Sequence, residues 1–527
     1  MGEIAPGALV ALLEKGAQVA LLDVREEAPY SLQHLLYAST MPMARLELML
    51  PARIPSRGCP IVLCDADGRS EAPEAAARLA KWGYRDVRVL AGGNAGWAAA
   101  GFALYGGMHT PSKAFGEAVE TRLHTPKVGV TTLHELRQTR SPHVLIDCRP
   151  HDEYLKMSLP GSINLPGVEL TYRFADVVRD PSIRVIVHCA GRTRSIMGAQ
   201  TLIESGVPNP VCSLENGTMG WLLAGHEAAT PSLDVPENDD LAHPAPGVRA
   251  YAESLAAKHG IGRVDEATAR RWLTGEEATV TCLLDVRSPA EYESGHLAGA
   301  WHAPGGQLIQ ATDKYLVVQN ARLVLTDDNG IRATIVAGWL KRMGWRDVHV
   351  LAMQDCSAAR VAGAEPRQYL IDPAARTRWI TPQALNELIG AKGAHVFDLD
   401  NSLEYEQAHL ERARFVKRKS LARLLPALEE DRRVVLTSAD GIVACIAAAE
   451  CHGKRPVWVL EGGKAAWKAC GLPMHAGPGV MLDPPDEMWR RPVEAPGDRT
   501  AHMQNYLKWE IGLIEQVDRD STVRFRI

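Results

Sequence analysis

The segment VIVHCAGRTRSIMGAQTL, beginning at Val185, sets Cys189 between a β-branched apolar run and a helical pattern. A strand ending there and a helix starting a few residues later would bring backbone N–H groups and the positive end of the helix dipole onto Sγ. Arg192 and Arg194 add positive charge within the next five residues. A thiol so placed falls from a free pKa of roughly 8.5 towards neutrality, and the thiolate is the nucleophile. The N–H groups of Ala190, Gly191, Arg192, Thr193, Arg194 and Ser195 would stabilise negative charge at the sulfur. The two arginines would bind an anionic substrate, and Gly191 lets the backbone turn tightly.

The neighbouring polar residues read as structural. His188 precedes the cysteine, and strand alternation turns it to the opposite face, so it is not the base for Cys189. Asp147 and Arg149 form a charge pair that ties a strand end to a loop. Cys148, between them, reads as a core residue rather than a resolving thiol.

The elements that position this loop recur four times. LLDVREEAPYSLQHL begins at Leu21, LIDCRPHDEYLKMSL at Leu145, LLDVRSPAEYESGHL at Leu283 and VFDLDNSLEYEQAHL at Val396. Their aspartates, Asp23, Asp147, Asp285 and Asp398, lie 124, 138 and 113 residues apart, the spacing of domains rather than of solenoid repeats. A second element follows each: IVLCDADGRS from Ile61, VIVHCAGRTRS from Val185, LVLTDDNGIRA from Leu323 and VVLTSADGIVA from Val434. A third, VRVLAGGNAGWAAAG from Val87, returns as VCSLENGTMGWLLAG and VWVLEGGKAAWKACG, and decays in the third repeat to VHVLAMQDCSAARVAG.

Together these elements resemble the rhodanese family: Asp-x-Arg with Glu-Tyr-x-x-x-His-Leu, a cysteine loop between strand and helix, and a Gly-Gly-x-x-x-Trp helix start. The resemblance implies sulfur transfer by double displacement. Cys189 would take the outer sulfur of a donor such as thiosulfate or 3-mercaptopyruvate, and a thiol, cyanide or protein acceptor would remove it from the persulfide. It implies no cofactor. The loop CAGRTRS does not select between the two donors.

Aligning the loops on their final Arg-Ser sets Cys64, Cys189, Asp327 and Ser438 at one position. Asp327 and Ser438 cannot form a persulfide, and Val443 stands where Arg194 does, so units three and four are read as structural or regulatory. Unit one keeps Cys64, Arg69 and Ser70 and is a candidate second site. Asp65 and Asp67 beside that thiol raise its pKa, which argues against reactivity.

Two other readings were weighed. Phosphatases and arsenate reductases of the related cell-cycle type place five residues between Cys and Arg, whereas Cys189 and Arg194 have four between them and Ser195 occupies the phosphatase arginine's place. A binding or scaffold protein of degenerate units suits units three and four better than it suits the second loop.

Apolar runs of strand length alternating with helical patterns predict an α/β fold, a parallel sheet flanked by helices in every unit. The units are expected at 1–108, 125–230, 248–362 and 378–477, with linkers at 110–126, 231–247 and 363–381. They would pack as consecutive pairs, one with two and three with four. The tail, 478–527, would dock on the fourth unit through the helical YLKWEIGLIEQ. A chain of 527 residues with 46% hydrophobic and 23% charged residues and a net charge of −5 describes a globular protein without the basic excess of nucleic-acid or membrane binding. The amino-terminal MGEIAPGALVALLEKG carries Glu3 and breaks its apolar run at Glu14 and Lys15, so it predicts mature, cytoplasmic protein. Ten cysteines without a CxxC pair indicate neither a disulfide scaffold nor a metal site.

Overall fold

The computed structural model describes residues 2–231, 244, 246–274, 279–370, 377–429, 431–451 and 456–527. Each repeat forms its own mainly parallel sheet flanked by helices. In the second unit the strand order is Lys127–Val128, Val211–Leu214, Arg184–His188, His143–Asp147 and Ile163–Asn164, and the other three units repeat it. The strands are short apolar runs buried on both faces, as parallel strands covered by helices must be. Among the described residues no helix is long and apolar enough to cross a membrane.

The four Asp-x-Arg elements end four equivalent strands, Val19–Asp23, His143–Asp147, Thr281–Asp285 and Ala394–Asp398. In the first three units the arginine folds back onto the aspartate, at 2.6, 2.6 and 2.7 Å. In the fourth, Asp400 replaces the arginine. Lys464 compensates from the next helix start, with Nζ 3.3 Å from Asp398 and 2.7 Å from Asp400. The helix after the last strand begins at a left-handed residue, Gly92, Asn216 or Gly462, in units one, two and four. Unit three lacks that Gly-Gly signal, and a short 3₁₀ turn, Met353–Asp355, stands there.

The packing differs from the expected pairs. Unit two packs on unit three: Arg332 bonds Glu169 at 2.6 Å, Trp339 Nε1 donates to Thr201 Oγ1 at 3.0 Å, and Arg342 pairs with Glu204. Unit one packs on unit four, where Arg418 reaches Glu47 at 2.6 Å. Units one and three also join, because Val318–Gln319 pairs antiparallel with Val19 and Ala20. One hydrophobic cluster runs through units one, two and three, with Leu46, Ile196 and Ile335 among its members. Such a core favours pairings that close the largest apolar faces, whatever the order along the chain.

Two predicted segments are corrected. The stretch 110–126 is not a loose linker: Thr110–Leu123 is a helix, ten of whose residues are buried. The tail leaves the fourth unit after contributing Val480–Met481 as an edge strand to its sheet. Its helix, Arg499–Arg519, then crosses to the Thr110–Leu123 helix and unit two. Met503, Leu507, Leu513 and Val517 form the buried stripe of this amphipathic helix. Gly107 lets it approach, since a Cβ there would overlap the Trp509 ring. The stretch 231–247 lies almost entirely outside the described residues.

Candidate functional site

Strand register defines the site. Asp147 pairs with His188, so Cys189 is the first residue past the strand Arg184–His188, and the helix Thr193–Glu204 starts four residues later. The Cys189 thiol is 2% exposed and donates to Ser195 Oγ at 3.5 Å, while Ser195 donates to Arg192 O at 2.8 Å. His188 points away and bonds Ser162 Oγ at 2.8 Å, and burial lowers its pKa to about 4. Burial would raise Asp147, but His188, Arg149 and Ser158 together outweigh it and hold the carboxyl at about 2. Cys148 donates to His188 O at 3.2 Å, and burial and then Cys189 push its thiol well up.

Both arginines are committed to carboxylates. Arg192 forks onto Glu117 at 2.6 and 2.8 Å and reaches Glu120 at 2.5 Å, both on the Thr110–Leu123 helix. Arg194 forks onto Glu153 at 2.8 and 3.0 Å and touches Gln307 of unit three at 3.4 Å. The expectation that both arginines grip the donor is corrected to this extent: Arg192 anchors the loop to the helix beside it. Arg194 keeps its charge against burial through Glu153 and, after that, through Cys189 itself.

The same register corrects the reading of unit one. Asp23 pairs with Cys64, as Asp147 pairs with His188, so the residue equivalent to Cys189 is Asp65. The backbone agrees, since Asp65 O accepts from Asn94 N as Cys189 O accepts from Thr218 N. Cys64 faces the sheet core, donates to Leu22 O at 3.4 Å, and is pushed well up by burial and then by Asp23. Arg69 and Ser70 lie exposed on the far side of the loop. The three do not assemble into a thiol site. The signal was present in the sequence, because DADG, DDNG and SADG align on their glycines and set Asp65 beside Asp327 and Ser438. Aligning on Arg-Ser concealed it.

Unit three reveals what this loop holds. Asp327 Oδ2 accepts from the N–H groups of Arg332 at 2.7 Å and Ala333 at 3.2 Å, and Oδ1 accepts from Gly330 N. In unit one Asp65 takes Gly68 N at 2.5 Å, Ser70 N at 3.1 Å and Ala72 N at 2.9 Å. In unit four Ser438 Oγ accepts from Ala444 N at 3.3 Å. The loop is therefore an anion cradle, a ring of N–H groups at a helix start that twice holds a carboxylate of the chain itself. The glycine that opens each of these three cradles, with φ of 73, 81 and 84° at Gly68, Gly330 and Gly441, is Arg192 in unit two. There φ is −126°, and the carboxylates of the neighbouring helix hold the residue. Unit two alone sets a thiol at the head of the cradle.

The C-terminal helix closes over this loop, which sequence reasoning missed. Glu510 is fully buried and accepts from Thr193 Oγ1 at 2.9 Å and from Lys113 at 3.3 Å. Met219, Tyr506 and Glu510 cover Gly191, where a Cβ would lie 2.8 Å from Met219 Cε and 3.2 Å from Glu510 Oε2. Tyr506 and Glu510 are three turns into a helix with no counterpart among the repeats, so nothing in the repeat pattern points to them. Among the described residues no group of three His, Cys, Asp or Glu could hold a metal ion.

The Rhodanese-like domain family matches at residues 5–100, 130–224, 267–353 and 381–470, well over half of the chain. The crystal structure of a thiosulfate sulfurtransferase from Pseudomonas aeruginosa superposes with a TM-score of 0.91 at 41% identity, covering 100% of this chain and 99% of that one. A curated relative, an HTH-type transcriptional regulator of Mycobacterium tuberculosis, is 33% identical over 104 residues, 20% of this chain and 45% of the regulator. The chain thus spans about half the length of that relative. With four matched segments, four equivalent sheets and four equivalent loops, the chain belongs to the rhodanese-like domain family as four tandem units.

Proposed function

We propose that the protein is a sulfurtransferase carrying sulfane sulfur on Cys189. One observation carries the reading: only at Cys189 does a thiol head the N–H cradle that Asp65 and Asp327 occupy with carboxylates. The similarity to a thiosulfate sulfurtransferase over the whole length supports it.

In the proposed cycle the Cys189 thiolate attacks the outer sulfur of thiosulfate, the sulfur–sulfur bond of the donor breaks, and sulfite leaves with its electron pair. The terminal persulfide sulfur is an anion, and the N–H groups of Arg192, Arg194 and Ser195, equivalent to those that hold Asp327, hydrogen-bond it. A thiolate, cyanide or protein thiolate then takes that sulfur and regenerates the Cys189 thiolate, giving ping-pong kinetics. With 3-mercaptopyruvate as donor, pyruvate leaves in place of sulfite. Units one, three and four take a structural role in this reading, because their cradles are filled by side chains of the chain.

Intact-mass spectrometry after incubation with thiosulfate, and separately with 3-mercaptopyruvate, tests the proposal. The expected result is a gain of one sulfur, about 32 Da, in wild type and in Cys64→Ser but not in Cys189→Ser. No gain in wild type with either donor would replace the enzyme by a binding module.

A further inference from the structure

We propose that the cavity between units two and three is a binding site for an organic anion with an apolar body, held at its charged end by Arg173. The cavity measures about 460 Å³, within the range of small-molecule sites. Its walls come from equivalent segments of the two units: Leu155, Val168 and Tyr172 on one side, Val286, Pro289 and Pro304 on the other. Most of that surface is apolar, so it suits a hydrocarbon or aromatic body rather than a bare ion.

The charges on the walls decide the sign of the ligand. Arg287 is spent on Asp285 and Asp328. Arg332 is spent on Glu169, Glu291 and Asp328, which at the same time neutralises both glutamates lining the cavity. Asp152 stands exposed at the rim, where water screens it. Arg173 is the exception: its Nε is buried and has no hydrogen-bond partner among the described residues. An unmet donor on a charged group is costly, and an anionic oxygen would satisfy it with a charge-assisted bond. A carboxylate or sulfonate on an apolar frame meets both features.

This site is separate from the persulfide chemistry. Cys189 does not line the cavity, although Gln307 of its wall touches Arg194 on the far side. Sulfur transfer is therefore not required for binding, and the two proposals fail independently.

The test uses 8-anilinonaphthalene-1-sulfonate as probe, an aromatic body with one sulfonate, titrated into the full chain by fluorescence. One saturable equivalent is expected. Arg173→Gln should weaken binding at least about tenfold, with partial recovery in Arg173→Lys. Leu155→Trp, which fills the cavity, should abolish binding, and Cys189→Ser should leave it unchanged. Absence of saturable binding to wild type, or equal affinity in wild type and Arg173→Gln, overturns the assignment. Circular dichroism identifies variants that keep the fold. Should Leu155→Trp lose it, the Arg173 series decides alone.

Discussion

Thr193, in the cysteine loop, donates to Glu510 Oε1 at 2.9 Å, a bond that joins residues 317 apart in the chain. Glu510 also receives Lys113 at 3.3 Å, and its second oxygen is buried without a hydrogen-bond partner. The last helix is thereby part of the wall around Cys189. Two long-range ion-pair systems, Arg192 with Glu117 and Lys113 with Glu510, lock loop, inter-unit helix and tail together.

Removing Glu510 should therefore weaken the fold around the site. Glu510→Ala leaves Lys113 buried and uncompensated, and breaking a buried pair from one side costs about 3 kcal/mol. Glu510→Gln keeps an acceptor for Thr193 and should lose less. Urea unfolding of both variants against wild type measures this, and equal midpoints for Glu510→Ala and wild type would place the tail outside the cooperative unit.

The filled cradle of unit three predicts a ligand rescue. Asp327→Ala leaves the N–H groups of Gly330, Arg332 and Ala333 without their acceptor, at a cost of about 2 kcal/mol. Sulfate should enter the vacated cradle and raise the melting temperature of Asp327→Ala more than that of wild type. Identical sulfate responses would mean that the cradle collapses rather than holds an anion.

Cys64 should be chemically silent. Its thiol lies in the core of unit one with its pKa pushed well up, whereas Cys470 is exposed. Iodoacetamide at pH 8 under native conditions should label Cys470 within minutes and leave Cys64 unlabelled until denaturant is added, as peptide mapping would record. Native labelling of Cys64 at the rate of Cys470 would reopen the question of a second thiol.

Unit four should be sensitive to pH. Burial, and then Asp400, raise Asp398 from 3.8 to about 7, since Lys464 cannot neutralise two carboxylates. Because the folded pKa lies above the unfolded one, the folded state binds more protons between about pH 4 and 7. That contribution is present in full below the unfolded value and is lost as pH rises through the folded one. Stability of this unit should fall over that window, and Asp400→Asn should flatten the dependence. Lys464→Met, which leaves the aspartates unopposed, should destabilise the unit by about 3 kcal/mol at pH 7.5. Thermal melts across the pH range check both, and a flat profile in wild type would refute the first.

Repetition carried most of what was legible in the sequence. Four Asp-x-Arg strands, four strand-loop-helix turns and alternating apolar periods specify four α/β units, because strand length, turn chemistry and helix starts are local properties. The same locality made Cys189 readable, since a thiol between a strand and a helix start acquires its surroundings from adjacent backbone. Cys64 misled because similarity at Arg-Ser hid a one-residue shift, and in a strand one residue turns a side chain to the other face. Tertiary structure alone decided which units pair, where the tail lies and what neutralises Arg192 and Arg194. Those outcomes depend on which buried faces and charges meet across hundreds of residues, and no local pattern records Thr193 meeting Glu510.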